Sequence, residues 1–149
     1  MTNSTDKDYN KGRADQQMFM DMFNQRYKYK LVEYPSKYAP IDFILLDGKS
    51  VVGFAEYKHR KISKDQYDHI VIDHNKMKKL REHKDGSNKP AYLILTYLDG
   101  TYVYELTGQI FDIEYGGRTK KTRNKYDIKV VEKIPSNKFK HIDIIFKDA

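Results

Sequence analysis

A mixed α/β fold is what this sequence predicts, and three observations predict it. Two stretches carry apolar residues at the three- and four-residue spacing of a helix face. Two pairs of strand-forming runs are each joined by an Asp-Gly turn. The order of these segments, one helix, three strands, a second helix and then further strands, is that of a mixed sheet flanked by helices.

The first helix follows Gly12. In RADQQMFMDMFNQRY, Met18 and Met22, with Phe19 and Phe23, recur along one face and define an amphipathic helix of about four turns. Residues 1–12 (MTNSTDKDYNKG) are polar and aperiodic and are expected to form a flexible tail, leaving 13–149 as a single domain. A first strand is expected from Tyr29 to Tyr34, ended by Pro35. Ile41 to Leu46 and Ser50 to Lys58 should then pair as antiparallel neighbours around Asp47-Gly48.

Ser63 to Gln66 has the form of a capping box. It predicts a second helix that carries Ile70, Met77 and Leu80 on one face, extends to His83 and is closed by Gly86. Beyond Pro90, AYLILTYLDGTYVYEL repeats the pattern of two apolar runs around an Asp-Gly turn. A short strand from Gln109 to Glu114 leads through Gly116-Gly117 into the basic loop RTKKTRNKYD. Ile128 to Ile134 and His141 to Phe146 complete the sequence as two C-terminal strands.

Composition narrows the function classes. At 149 residues the chain is the length of one domain and buries about two thirds of the surface its unfolded form exposes. The hydrophobic fraction is low (39%) and the charged fraction high (33%), but 13 Tyr and 7 Phe supply core volume that disordered chains lack. Without Cys there are no disulfides and no thiolate metal sites, so any metal must sit on oxygen or imidazole donors, and a reducing cytoplasm fits. No apolar run approaches the roughly 20 residues of a membrane span, and Met1 to Lys11 has no apolar signal core. A cytoplasmic protein without a membrane partner is expected. The net charge of +7 favours a polyanionic partner, nucleic acid first, because neutralised phosphates release counterions.

The chemistry concentrates in the Asp47-Gly48 hairpin. Side chains alternate along a strand, so Phe54, Glu56 and Lys58 share one face and Ala55 and Tyr57 the other. Hairpin register brings Asp42 opposite Glu56 to Lys58. Two carboxylates on neighbouring strands suit a hard divalent cation such as Mg2+, and an adjacent ammonium is placed to orient a water or to neutralise charge on a phosphate. The same three residues also read as solvent-facing positions joined by a surface ion pair. Against that reading, Asp42 and Glu56 lie within apolar runs, where unpaired carboxylates are costly to bury.

Pro40-Ile41-Asp42, a hairpin, and then Glu56-Tyr57-Lys58 resemble the signature of the PD-(D/E)xK nuclease superfamily. The surrounding elements resemble its restriction-endonuclease-like αβββαβ core, here with additional C-terminal strands. The resemblance spans Gly12 to Leu98. It implies a Mg2+- or Mn2+-dependent DNA nuclease, an endonuclease of a bacterial cell or phage-infected host. Asp42, Glu56 and the Tyr57 carbonyl would be the metal ligands and Lys58 the catalytic lysine. It also implies that a chain this small cuts both strands as a homodimer. Many members carry a further acid on the first helix, where this chain has Gln16 and Gln17.

Arg60, Lys61, Lys76, Arg118, Lys120, Lys121 and Arg123 are the expected DNA contacts, with Thr119, Thr122 and Asn124 interleaving phosphate donors in the loop. The histidines show no metal-ligand pairing. Two rival readings stand beside the nuclease: a catalytically inactive nucleic-acid-binding protein on the same fold, and a basic protein that inhibits or recruits another protein.

Overall fold

The computed structural model describes the backbone of residues 4–36, 38–116 and 129–148, with side chains from residue 11 onward. In chain order the elements are α1 (Ser4–Arg26), β1 (Lys30–Glu33), β2 (Phe43–Asp47), β3 (Ser50–His59), β4 (His69–Asp73), α2 (His74–Ser87), β5 (Ala91–Tyr97), β6 (Gly100–Glu105), β7 (Asp112–Gly116), β8 (Lys129–Pro135), β9 (Lys140–His141) and α3 (Ile142–Phe146). The expected mixed α/β architecture is present. α1 starts earlier than expected, so that from Ser4 the segment expected to be a tail is helical backbone. One glycine in that stretch, Gly12, weakens a helix by only about 1 kcal/mol.

The six-stranded sheet has the order β1-β2-β3-β5-β6-β9. All its pairs are antiparallel except β3 with β5. Gly48 supplies the positive φ (61°) that the β2–β3 turn requires. α1 lies on one face through Phe19, Phe23 and Tyr27, and Phe19 stacks on Tyr57 with centroids 4.4 Å apart. α2 lies against Phe54, Leu93 and Leu95 through Met77 and Leu80. At the end of α1, the Asn24 side chain both donates to the Leu31 carbonyl (2.9 Å) and accepts from its N–H (2.6 Å), which ties the helix to β1.

Two expected elements are corrected. The second helix does not begin near Ser63 and does not include Ile70. Residues 69–73 form β4, and the helix starts at His74, where Asp73 accepts from the Asn75 N–H at 2.8 Å. In HIVID, Ile70 and Ile72 are buried while Val71 is exposed, the period of a strand, and β8 pairs with it across a second sheet of order β4-β8-β7. The helix ends not at Gly86 but at Asn88, which takes the left-handed cap conformation (φ 56°). The expected strand from His141 to Phe146 is a two-residue strand followed by α3. His141 Nδ1 accepts from the Asp143 N–H at 3.1 Å, and Ile142 and Phe146 are buried one helical turn apart.

The second sheet is anchored to α2 by Glu132, which is fully buried on β8. Its Oε2 accepts from Arg81 Nη1 at 2.7 Å and meets His74 Nδ1 at 2.9 Å; its Oε1 accepts from Arg81 Nη2 and from the Phe111 N–H at 3.3 Å. Burial alone would raise the carboxyl pKa. Hydrogen bonds from Arg81 and His74 outweigh it and hold the group below the ordinary glutamate value. Replacing Glu132 with Ala should therefore destabilise the fold by about 3–5 kcal/mol, because it strands the Arg81 charge. Since the folded-state pKa is depressed, this contribution is complete above the ordinary glutamate value and is lost as pH falls through the lowered one. Urea unfolding of both proteins between pH 7 and pH 3 measures it: the gap between them should be widest near neutrality and narrow in acid.

Candidate active site

β3 is central in its sheet, paired with β2 on one side and β5 on the other. Phe54 packs into the core beneath α2, and Ala55 and Tyr57 pack into the core beneath α1. Alternation therefore turns Glu56 and Lys58 toward the α2 side, the arrangement expected from the sequence. His59 lies on the opposite side, with Asp15, Met18 and Thr96.

β2 ends where Phe43 faces Ala55. Asp42, one residue beyond, is held by two bonds: its Oδ2 accepts from the Tyr57 N–H at 2.9 Å, and its backbone carbonyl accepts from the Tyr34 N–H at 3.1 Å. The N–H and C=O of one strand residue point to the same side. The Tyr57 carbonyl therefore opens toward Asp42, past the end of β2.

Glu56 is 1% exposed, and neither carboxylate oxygen has a hydrogen-bond partner. Burial first, and then the neighbouring Asp42 charge, push its pKa far above the usual carboxylate range; Lys76, and after it Lys58, pull the other way. Lys76 Nζ stands 3.9 Å from Glu56 Oε1. A buried carboxylate without donors is costly, and one facing a second carboxylate more so. A proton shared between the two groups relieves this, and so does a cation.

A hard divalent cation fits the donor set, which is two carboxylates and a carbonyl, all oxygen. Among the described residues no group of three or more His, Asp or Glu side chains is arranged to hold a metal. The two carboxylates could supply two ligands, and the expected position of a further acid is on α1. There the structure separates the two glutamines. Gln16 lines a cleft with Arg13, Glu33, Tyr34, Ser36, Ile41 and Asp42, whereas Gln17 is exposed and donates to Asp21 at 2.9 Å. Arg13 and Glu33 were not singled out from the sequence. Arg13 is three residues from Gln16, a spacing that marks it once the helix face is known.

The expected DNA contacts divide. Lys61 is exposed, and the neighbouring Lys11 lowers its ammonium pKa, a sign of concentrated positive charge. The Arg60 guanidinium is directed to the carbonyls of His59 (3.4 Å) and Val71 (3.5 Å). Lys76 reaches the carboxylate site. Arg118, Lys120, Lys121 and Arg123 lie outside the described residues.

Comparison with known proteins accords with this geometry. A family model described as "Phage putative PDDEXK endonuclease" matches residues 4–142. No curated protein matches the sequence. Among solved structures, the chain is similar to Archaeoglobus fulgidus Hjc, a Holliday junction resolvase from an archaeal hyperthermophile. The identity is 14% and the TM-score 0.60, over 93% of this chain and 98% of that one. At that identity the likeness is one of fold.

Two outcomes test the site without catalysis. Gln16→Glu adds a carboxylate to the Asp42 cleft and should raise Mn2+ affinity by about tenfold, while Gln17→Glu changes little. Isothermal titration reads both, and equal affinities in wild type and Gln16→Glu would place α1 away from the metal. In metal-free protein, Glu56→Gln removes a carboxyl whose pKa the fold raises to about 9, and with it the cost of keeping that group neutral, so it should stabilise the fold by about 1 kcal/mol or more near neutral pH and by little in acid. Thermal melts in EDTA would show a higher Tm for the variant, and a lower one would mean that Glu56 is satisfied in the metal-free protein.

Proposed function

The chain belongs to the family of phage PD-(D/E)xK endonucleases, and on that premise we propose that it is a metal-dependent DNA endonuclease with its centre at Asp42, Glu56 and Lys58. The observation that carries this reading is Glu56, buried beside Asp42 with both oxygens unpartnered. Ion pairing on a solvent-facing hairpin does not account for it, because the group is not solvent-facing.

Asp42, Glu56 and the Tyr57 carbonyl would hold Mg2+ or Mn2+. When bound, such an ion would supply Lewis acidity and ease the loss of a proton from the water that attacks phosphorus. The protein's own groups do the rest. The Tyr57 N–H fixes the Asp42 carboxylate against β3. Lys58, next to Glu56 on the same strand face, orients the attacking water or neutralises charge on the phosphate oxygens. The Gln16 amide faces the Asp42 cleft and can hold a water there by hydrogen bonding. Lys61 and the loop cations Arg118, Lys120, Lys121 and Arg123 are proposed contacts to the DNA backbone, in keeping with the net charge of +7.

A glutamine where many relatives have an acid favours one second reading, a catalytically inactive DNA-binding protein on the same fold. Cleavage assays decide between them. Supercoiled plasmid, a short duplex and a four-way junction should be incubated with the protein in Mg2+, Mn2+ or EDTA. Cleavage should require the metal, and Asp42→Ala, Glu56→Ala and Lys58→Ala should each slow it by about 100-fold or more. Salt-sensitive DNA binding with no cleavage in either metal would establish the inactive reading. Full activity in any of the three variants would remove that residue from the centre.

A further inference from the structure

From the sequence Lys76 is expected to be a DNA contact on a basic helix. Its position is unusual on two counts. It stands in the first turn of α2, where the helix dipole disfavours a cation and the only acidic side chain of the helix start is the capping Asp73, already bonded to the Asn75 N–H. Helix stability therefore does not explain it. Its ammonium is also the one cation within ion-pair distance of Glu56 among the described residues, at 3.9 Å.

On the nuclease reading above, we propose that Lys76 is a second phosphate-holding lysine, which stands beside Glu56 in the metal-free protein and turns to a nonbridging oxygen of the scissile phosphate when a divalent cation takes Glu56. Its surroundings permit the exchange. Glu56 is buried and fixed on β3, whereas the Lys76 side chain is 37% exposed and carries its charge on a flexible four-carbon stem. Charge balance requires somewhere for it to go. One divalent cation matches the two carboxylates Asp42 and Glu56, which leaves both ammonium groups unpaired beside the metal. A phosphodiester brings one negative charge and acquires more as water adds, so two lysines match the transition state better than one. No proton or bond to Lys76 is made or broken; its part is electrostatic.

Lys76→Met and Lys76→Arg test this by two independent readouts. Without DNA, titration with Mn2+ should show Lys76→Met binding the ion about tenfold more tightly than wild type, because a competing cation has gone. At saturating Mn2+, single-turnover cleavage by the same variant should be about 100-fold slower, and Lys76→Arg should recover most of the rate. A merely structural lysine would not tighten metal binding while slowing the reaction. Unchanged or weaker Mn2+ binding by Lys76→Met, or an unchanged cleavage rate, overturns the proposal and leaves the nuclease reading intact if wild type binds and cleaves. If wild type neither binds Mn2+ nor cleaves in any metal, both readings fall.

Discussion

The constraint on which this structure turns is the burial of Glu56 without a donor. A carboxylate on the central part of a sheet, between two layers of apolar side chains, must be protonated, paired or bound to a cation. The neighbouring elements offer it only a proton shared with Asp42 and the Lys76 ammonium at 3.9 Å. Asp42, just before the start of β2, brings a second carboxyl where a donor would serve stability. Residues that stabilise a fold are not arranged this way.

Glu132 shows the contrast within the same molecule. It too is a buried glutamate on a strand beneath α2, yet both of its oxygens are satisfied by Arg81, His74 and the Phe111 N–H. One helix thus meets two carboxylates and treats them oppositely. Arg81 and His74 close around Glu132, and that cluster holds the second sheet and the helix together. At the other carboxylate α2 contributes only Lys76, at the long end of ion-pair distance and partly in solvent. The rigid cluster gives α2 a fixed seat on the sheet, and a fixed seat is what allows a single lysine to be aimed at Glu56.

α1 plays the matching part on the other side. Phe19, Phe23 and Tyr27 bury its inner face, and this packing sets which glutamine looks into the Asp42 cleft. Tyr27 and Arg26 at its end also bind Asp143, at 2.5 Å in each case, so the C-terminal helix is clamped to the same element that bounds the cleft.

Much of the centre was legible from the residues alone. The β2–β3 hairpin and the shared side of Glu56 and Lys58 follow from an Asp-Gly turn and strand alternation, both local rules operating within about twenty residues, whereas the facing of Asp42 to Glu56 needs the register shift between Leu45 and Leu46, without which Asp42 would face Ala55. What the sequence could not decide were features set by contacts from far along the chain. Ile70, Met77 and Leu80 suit a helical face as written. Only β8, some sixty residues later, supplies the hydrogen bonds that make residues 69–73 a strand. His141 to Phe146 alternates well enough for a strand, yet Arg26 and Tyr27 bond Asp143 within a helix. The choice of Gln16 over Gln17, and of Lys76 as the cation beside Glu56, depends on how each helix is rotated about its axis. That rotation is set by which side chains the rest of the core has room to bury, a property of the assembled layers and of no segment by itself.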